Sequence, residues 1–187
     1  LTRAMREVDG GESVRDARGE LTGVLKDNAQ GLMSAAIPDR SPEMEDRALD
    51  AAMKHVASYG VTSVHNVGSG GPPSAVWKEI RSLRRARESG RLITRIYAMV
   101  PLAQWSDLRD TVAAMGRGDE WLQIGGLKGF VDGSLGAHTA AMAEAFTDKP
   151  GDRGFFVTAP ESLYAQVSGA DKAGLHVMVH AIGDRAI

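Results

Sequence analysis

Gly60-Val-Thr-Ser-Val-His-Asn-Val-Gly68 is the stretch on which the fold turns. Its centre, Val61 to Val67, is short, rich in β-branched residues and closed by glycine at both ends, which reads as a strand. Upstream, Ser41 is placed as an N-cap and Pro42 fits the first helical position. Glu43, Glu45 and Asp46 suit the positive end of a helix. Leu49, Ala52, Met53 and Val56 continue at helical spacing, and Gly60 ends the run. Downstream, Gly68-Ser-Gly-Gly-Pro-Pro73 leads to a second helix. Val76, Ile80 and Leu83 are its apolar stripe and Gly90 its stop.

The same alternation carries on toward the C-terminus. Arg91 to Val100 reads as a strand. Ser106 can cap a helix with Leu108, Val112 and Met115 on one face. Leu122 to Val131 contains a third strand, followed by a long loop from Asp132 to Val157. Thr158-Ala-Pro-Glu161 has the form of a capping box, with Leu163, Val167 and Ala170 behind it and Gly174 at the end. Leu175 to Ala181 is the last strand. Residues 1–40, by contrast, are polar and weakly periodic. They read as an irregular inserted segment, with short strand around Glu20–Leu25 and a short helix near Asn28–Ala35, before a domain over 41–187.

Strands alternating with helices imply an α/β fold with parallel strands and right-handed crossovers. A doubly wound open sheet and part of an eight-stranded barrel both fit. Gly183 to Ile187 resembles the first turn of a helix without its remainder, and only four barrel-type strands are present. The expectation is therefore a partial (β/α)8 TIM barrel, cut at both ends. Its open sheet edges would be covered by a partner molecule, by swapping into a homo-oligomer, or by irregular packing.

Composition narrows the chemistry. A net charge of −2 gives no electrostatic reason to expect nucleic acid or an anionic membrane as partner. With no cysteine, any metal must be held by His, carboxylate or a similar group. The apolar runs are too short to span a bilayer and no leader peptide is visible, so the expected location is cytoplasmic.

Ligands of either architecture gather at the C-terminal ends of the strands. His180 ends Val177-Met-Val-His180, and alternation puts it on one side with His176 and Met178. Imidazole is the commonest zinc ligand, but a lone strand-end histidine is more often a hydrogen-bonded core residue. His176 lies lower on the strand and reads as structural. Lys128 interrupts the buried-looking Gly125-Gly-Leu-Lys-Gly-Phe-Val131. Burial favours the neutral, nucleophilic amine, which can take up carbon dioxide as a metal-bridging carbamate. Snorkelling to the surface or pairing with Asp132 explains the same residue. Asp132 and Ser134 follow at the strand mouth in Asp132-Gly-Ser-Leu-Gly136, a sequence equally suited to a plain turn. His65 ends the first strand. The Gly68–Gly71 loop suggests a phosphate cradle but lacks both G-x-G-x-x-G and G-K-[ST] spacing. The arginines at 81, 84, 85 and 87 read as a solvated helix face.

Four segments together resemble the amidohydrolase superfamily, in its YtcJ-like (amidohydrolase family 3) branch. They are Gly19-Glu-Leu-Thr-Gly-Val-Leu-Lys-Asp-Asn-Ala29, Gly60 to Gly68, Leu127-Lys-Gly-Phe-Val-Asp-Gly-Ser-Leu-Gly-Ala-His-Thr-Ala140 and Val179-His-Ala-Ile-Gly-Asp-Arg-Ala186. The resemblance implies a metal-bearing barrel beside a small β-sandwich, hydrolysing non-peptide C–N bonds of small amide-type substrates through a metal-activated hydroxide. It implies one or two divalent ions, zinc by preference. Lys128 matches the lysine of the fourth barrel strand, a carbamylated metal bridge, and His180 the metal-binding histidine of the fifth, facing a common cavity. His65, Asp132, Ser134 and His138 match positions on the substrate side. The chain departs from the pattern at Asn66, where Asp is expected, and at His138, where Arg is expected. The H-x-H pair of the first strand, the later histidine, the final acidic proton shuttle and the β-sandwich would all lie outside residues 1–187. The 187 residues alone are expected to be inactive. A doubly wound nucleotide-binding domain and a non-catalytic barrel relative are the competing readings.

Overall fold

The computed structural model describes residues 6–34, 37–38, 40–68 and 73–187. Six strands and five helices are seen. They are β1 (Gly11–Arg15), β2 (Leu21–Asp27), α1 (Gly31–Ser34), α2 (Pro42–Ser58), β3 (Ser63–Asn66), α3 (Pro73–Glu88), β4 (Arg95–Pro101), α4 (Trp105–Met115), β5 (Leu122–Phe130), α5 (Pro160–Lys172) and β6 (His176–His180). The later strands form one parallel sheet in the order β3-β4-β5-β6. Spatial order follows chain order, without the reversal that defines the switch point of a doubly wound sheet. The fold is therefore α/β, part of a (β/α)8 barrel, and the doubly wound alternative is set aside. The Ser69–Gly71 part of the glycine loop lies outside the described residues.

Contacts divide the chain into two compact units. One comprises Ile37–Lys128 and Gln166–Met178. Here the expected capping holds: Ser41 Oγ accepts from Met44 N at 3.3 Å, with Pro42 at the helix start. Gly60 and Gly90 follow α2 and α3 with φ of +77° and +68°, the left-handed conformation that ends helices at little cost. Val76, Ile80, Leu83 and Ala86 of α3 are buried, as are Ile96, Ala98 and Val100 of β4 and Leu122, Ile124 and Leu127 of β5. Helix stripe and alternate strand residues thus form one apolar layer. The arginine-rich face of α3 is partly tied down. Arg85 reaches Asp46 at 3.1 Å and Arg87 reaches Asp119 at 2.8 Å.

Two helix starts differ from expectation. A 3-10 turn over Leu102–Gln104 precedes α4, which begins at Trp105 with Gln104, not Ser106, at its cap position. Serine's capping preference is worth only about 1 kcal/mol, less than the burial of Leu102 and Leu108 that this start permits. α5 begins at Pro160, and Leu163 N donates to Ala159 O, one residue past the start a Thr158 cap would set.

The other unit comprises Leu1–Ala36, Gly129–Ala165 and Val179–Ile187. Its hairpin contains β2, where a short strand was expected around Glu20–Leu25, and adds β1, which was not expected. β1 pairs antiparallel with β2, from Gly11↔Asp27 to Arg15↔Leu21. Asp16 makes the turn, its Oδ1 accepting from Arg18 N at 2.8 Å and Glu20 N at 2.9 Å, and Gly19 takes φ +78°. β1 escapes a pattern search because it buries only Ser13. At the C-terminus, Ala186 N and Ile187 N both donate to Gly183 O, a single turn as expected.

Candidate functional site

β5 carries Lys128 in register with Pro101 of β4, two residues beyond the Met99↔Gly126 pair. Alternation places Lys128, Gly126, Met99 and Tyr97 on the sheet face opposite the apolar layer. Lys128 is half-buried, and that burial holds its amine below the ordinary lysine value. The same face holds three rings that sequence reading did not connect. His65 lies opposite Tyr97 across β3 and β4, with ring centroids 5.3 Å apart. Tyr97 Oη is 3.1 Å from His176 Nδ1, and burial pushes the phenol's pKa up. Gly126 makes this possible: a Cβ there would come 2.7 Å from Tyr97 Cε1 and from Met99 Cγ. His65 is exposed, so it is open to a ligand on that face.

In the other unit, His180 is half-buried and packs at 5.4 Å from the Phe130 ring. Its Nε2 donates to the Gly133 carbonyl at 2.7 Å, an arrangement that sets the tautomer and leaves the Nδ1 lone pair free. Metal-ligating histidines commonly donate their second nitrogen to a carbonyl or carboxylate in this way. Lys128, with its desolvated amine, and His180, with a lone pair oriented from behind, are thus each chemically suited to hold a metal. Among the described residues no group of three or more His, Cys, Asp or Glu side chains could hold an ion.

Asp132 has a different surrounding from the one expected. It is 0% exposed. Its Oδ2 accepts from Ala141 N at 2.8 Å and Gly183 N at 2.7 Å, and its Oδ1 from Ile182 N at 3.0 Å. The carboxylate ties the loop after β5 to the turn after β6, so it acts on the site through the main chain. Gly183 fits this knot because a Cβ there would overlap the Ala141 carbonyl. Asp184 Oδ1 adds an acceptor for Ala143 N at 2.7 Å. Ser134 is exposed, and its carbonyl accepts from Thr139 N and Ala140 N. His138 stands at φ +55°, with Nε2 3.0 Å from Asp148 Oδ2 and its ring edge-on to Phe146 at 4.8 Å. That hydrogen bond is the main reason the Asp148 carboxyl lies below its ordinary value.

Sequence reading also passed over Asp27 at the end of β2, where a non-glycine residue adopts φ +48° and ψ −126°. The available signal was the Asp27-Asn28 pair, a dipeptide suited to left-handed backbone.

With this geometry in hand, comparison with known proteins is direct. Residues 1–187 match the model of the amidohydrolase family. The chain is 36% identical over 182 residues to "Protein LONG AFTER FAR-RED 3" of Arabidopsis thaliana, covering 95% of this chain and 31% of that protein. It is 33% identical over 191 residues to "Putative amidohydrolase YtcJ" of Bacillus subtilis, covering 100% of this chain and 34% of that one. Two crystal structures, each described as an uncharacterized metal-dependent hydrolase, share the fold. The Pyrococcus horikoshii protein has a TM-score of 0.68 at 30% identity, over 89% of this chain and 34% of that one. The Pyrococcus furiosus protein has a TM-score of 0.66 at 27% identity, over 98% and 37%. The chain thus spans between 31% and 37% of the length of these relatives. A lysine on a partly buried strand face, a strand-end histidine held by a carbonyl, a barrel strand order and a family match along its whole length agree: this chain belongs to the amidohydrolase family.

Proposed function

We propose that the whole protein hydrolyses a non-peptide C–N bond of a small amide-type substrate, with Lys128 and His180 among its metal ligands. The observation that carries this reading is Lys128, an amine on a strand face whose charge is disfavoured by burial. A neutral amine there is competent to form a carbamate, and His180 offers Nδ1 with its tautomer set by Gly133. When bound, a divalent ion, zinc by preference, activates water and polarises the substrate carbonyl. His65, Ser134 and His138 are the substrate-side groups, and Asp132 positions the loops that carry Ser134 and follow His180. No helix among the described residues is long and apolar enough to cross a membrane. A small-molecule substrate in an aqueous, cytoplasmic setting, without nucleic acid or membrane, fits the near-neutral charge.

The test uses the full-length protein with a panel of simple amides. Chelation should abolish turnover and zinc restore it. Lys128→Arg and His180→Ala should each lose activity together with bound metal, and Lys128→Arg should also lose the carbamate carbon signal seen after labelling with ¹³C-bicarbonate. Full activity and metal content in Lys128→Arg would overturn the assignment. The 187 residues alone are expected to show no turnover, because two ligands do not close a tetrahedral site.

A further inference from the structure

Three features coincide at Asp27. Its backbone, at φ +48° and ψ −126°, is one that residues with a Cβ rarely adopt. It stands at the cap position of the 3-10 turn Asn28–Gln30, yet its side chain makes no capping hydrogen bond. Its Oδ2 is buried and has no hydrogen-bond partner among the described residues. Each feature costs stability, and residues held in sparsely populated backbone conformations cluster at ligand-binding positions.

The oxygen's surroundings indicate what it serves. It lies against Gly133, where a Cβ would come within 3.0 Å of it and would overlap Thr139 Oγ1. Gly133's carbonyl is the group that receives His180 Nε2. Thr139 Oγ1 already accepts from Ser134 N at 3.0 Å. Around Gly133, then, two acceptors are engaged and one carboxylate oxygen has no donor among the described residues.

We propose that Asp27 Oδ2 receives an N–H of the ligand, so that the end of β2 binds the nitrogen side of a carboxamide-type small molecule beside Gly133, whose carbonyl receives His180 Nε2. One unpaired oxygen is too few for a cation, which takes four or more ligands, but it satisfies one N–H donor. Naming the ligand a carboxamide rests on the proposed hydrolysis; the N–H-accepting site does not.

The experiment titrates the ¹⁵N-labelled chain with acetamide and, separately, with N,N-dimethylacetamide, which keeps the carbonyl but has no N–H. Acetamide should shift the amide signals of Asp27 and Gly133 saturably, and dimethylacetamide should shift them several-fold less. Asp27→Gly, which accepts the backbone conformation, should abolish the response while raising the melting temperature. Asp27→Asn, which keeps the side chain's shape, should weaken acetamide binding about tenfold. Equal responses to the two probes, or a lowered melting temperature in Asp27→Gly, would overturn the proposal. Should the full-length protein hydrolyse no amide while acetamide is still discriminated, the reaction assignment falls and the Asp27 site stands.

Discussion

Asp132 and Asp27 belong to the same unit, each has a buried carboxylate oxygen, and they are treated in opposite ways. Asp132 is surrounded by three main-chain N–H donors contributed by two separate segments. Among the described residues Asp27 has a buried oxygen with no donor, on a backbone that resists its side chain. A charge taken out of water is tolerated when hydrogen bonds replace the lost solvent, and it is a cost otherwise. The contrast separates a carboxylate that builds the unit from one that the unit holds against its own stability.

The sharpest way to break the comparison is Asp132→Ala. Removing the acceptor leaves two buried N–H groups and one part-buried N–H unpaired, and we expect a loss of about 3–5 kcal/mol in chemical denaturation of the chain. Little loss would show that water replaces the carboxylate and that the knot is not structural. Gly183→Ala tests the same knot without touching its charge. Its methyl would overlap the Ala141 carbonyl, and overpacking of this kind costs about 1–3 kcal/mol.

Asp148 is the surface reference, the smallest effect of the set. Its side chain is 72% exposed and pairs with His138. Because its folded pKa is lowered, its contribution is present above the ordinary carboxyl value of 3.8 and disappears as pH falls through the lower folded value. Asp148→Asn should lower the denaturation midpoint at neutral pH only slightly and flatten its dependence on pH below 3.8. A large neutral-pH effect would mean that exposure is a poor guide to which carboxylates matter here.

Legibility follows the range of the interactions involved. The cap at Ser41, the stops at Gly60 and Gly90 and the stripe Val76-Ile80-Leu83 are set by neighbours within a turn or two, so spacing exposes them. β1 was illegible because a strand that buries one serine has no apolar alternation to display. The start of α4 moved because Leu102 and Leu108 gain more from burial than Ser106 would from capping. Lys128 stood out as an ammonium in an apolar run, and the structure gives it the expected desolvation. Tyr97 and His176, 79 residues apart, could not be paired from sequence, since the link runs across β5 through the space left by Gly126.

Sequence alone determined the α/β alternation and the family, and it singled out Lys128 and His180 as the candidates for metal binding, because these depend on local spacing and on side-chain chemistry. Tertiary structure alone decided which carboxylate is satisfied and which is not. Hydrogen-bond supply at Asp132 and Asp27 comes from segments far away along the chain, and no periodicity records who will arrive beside whom.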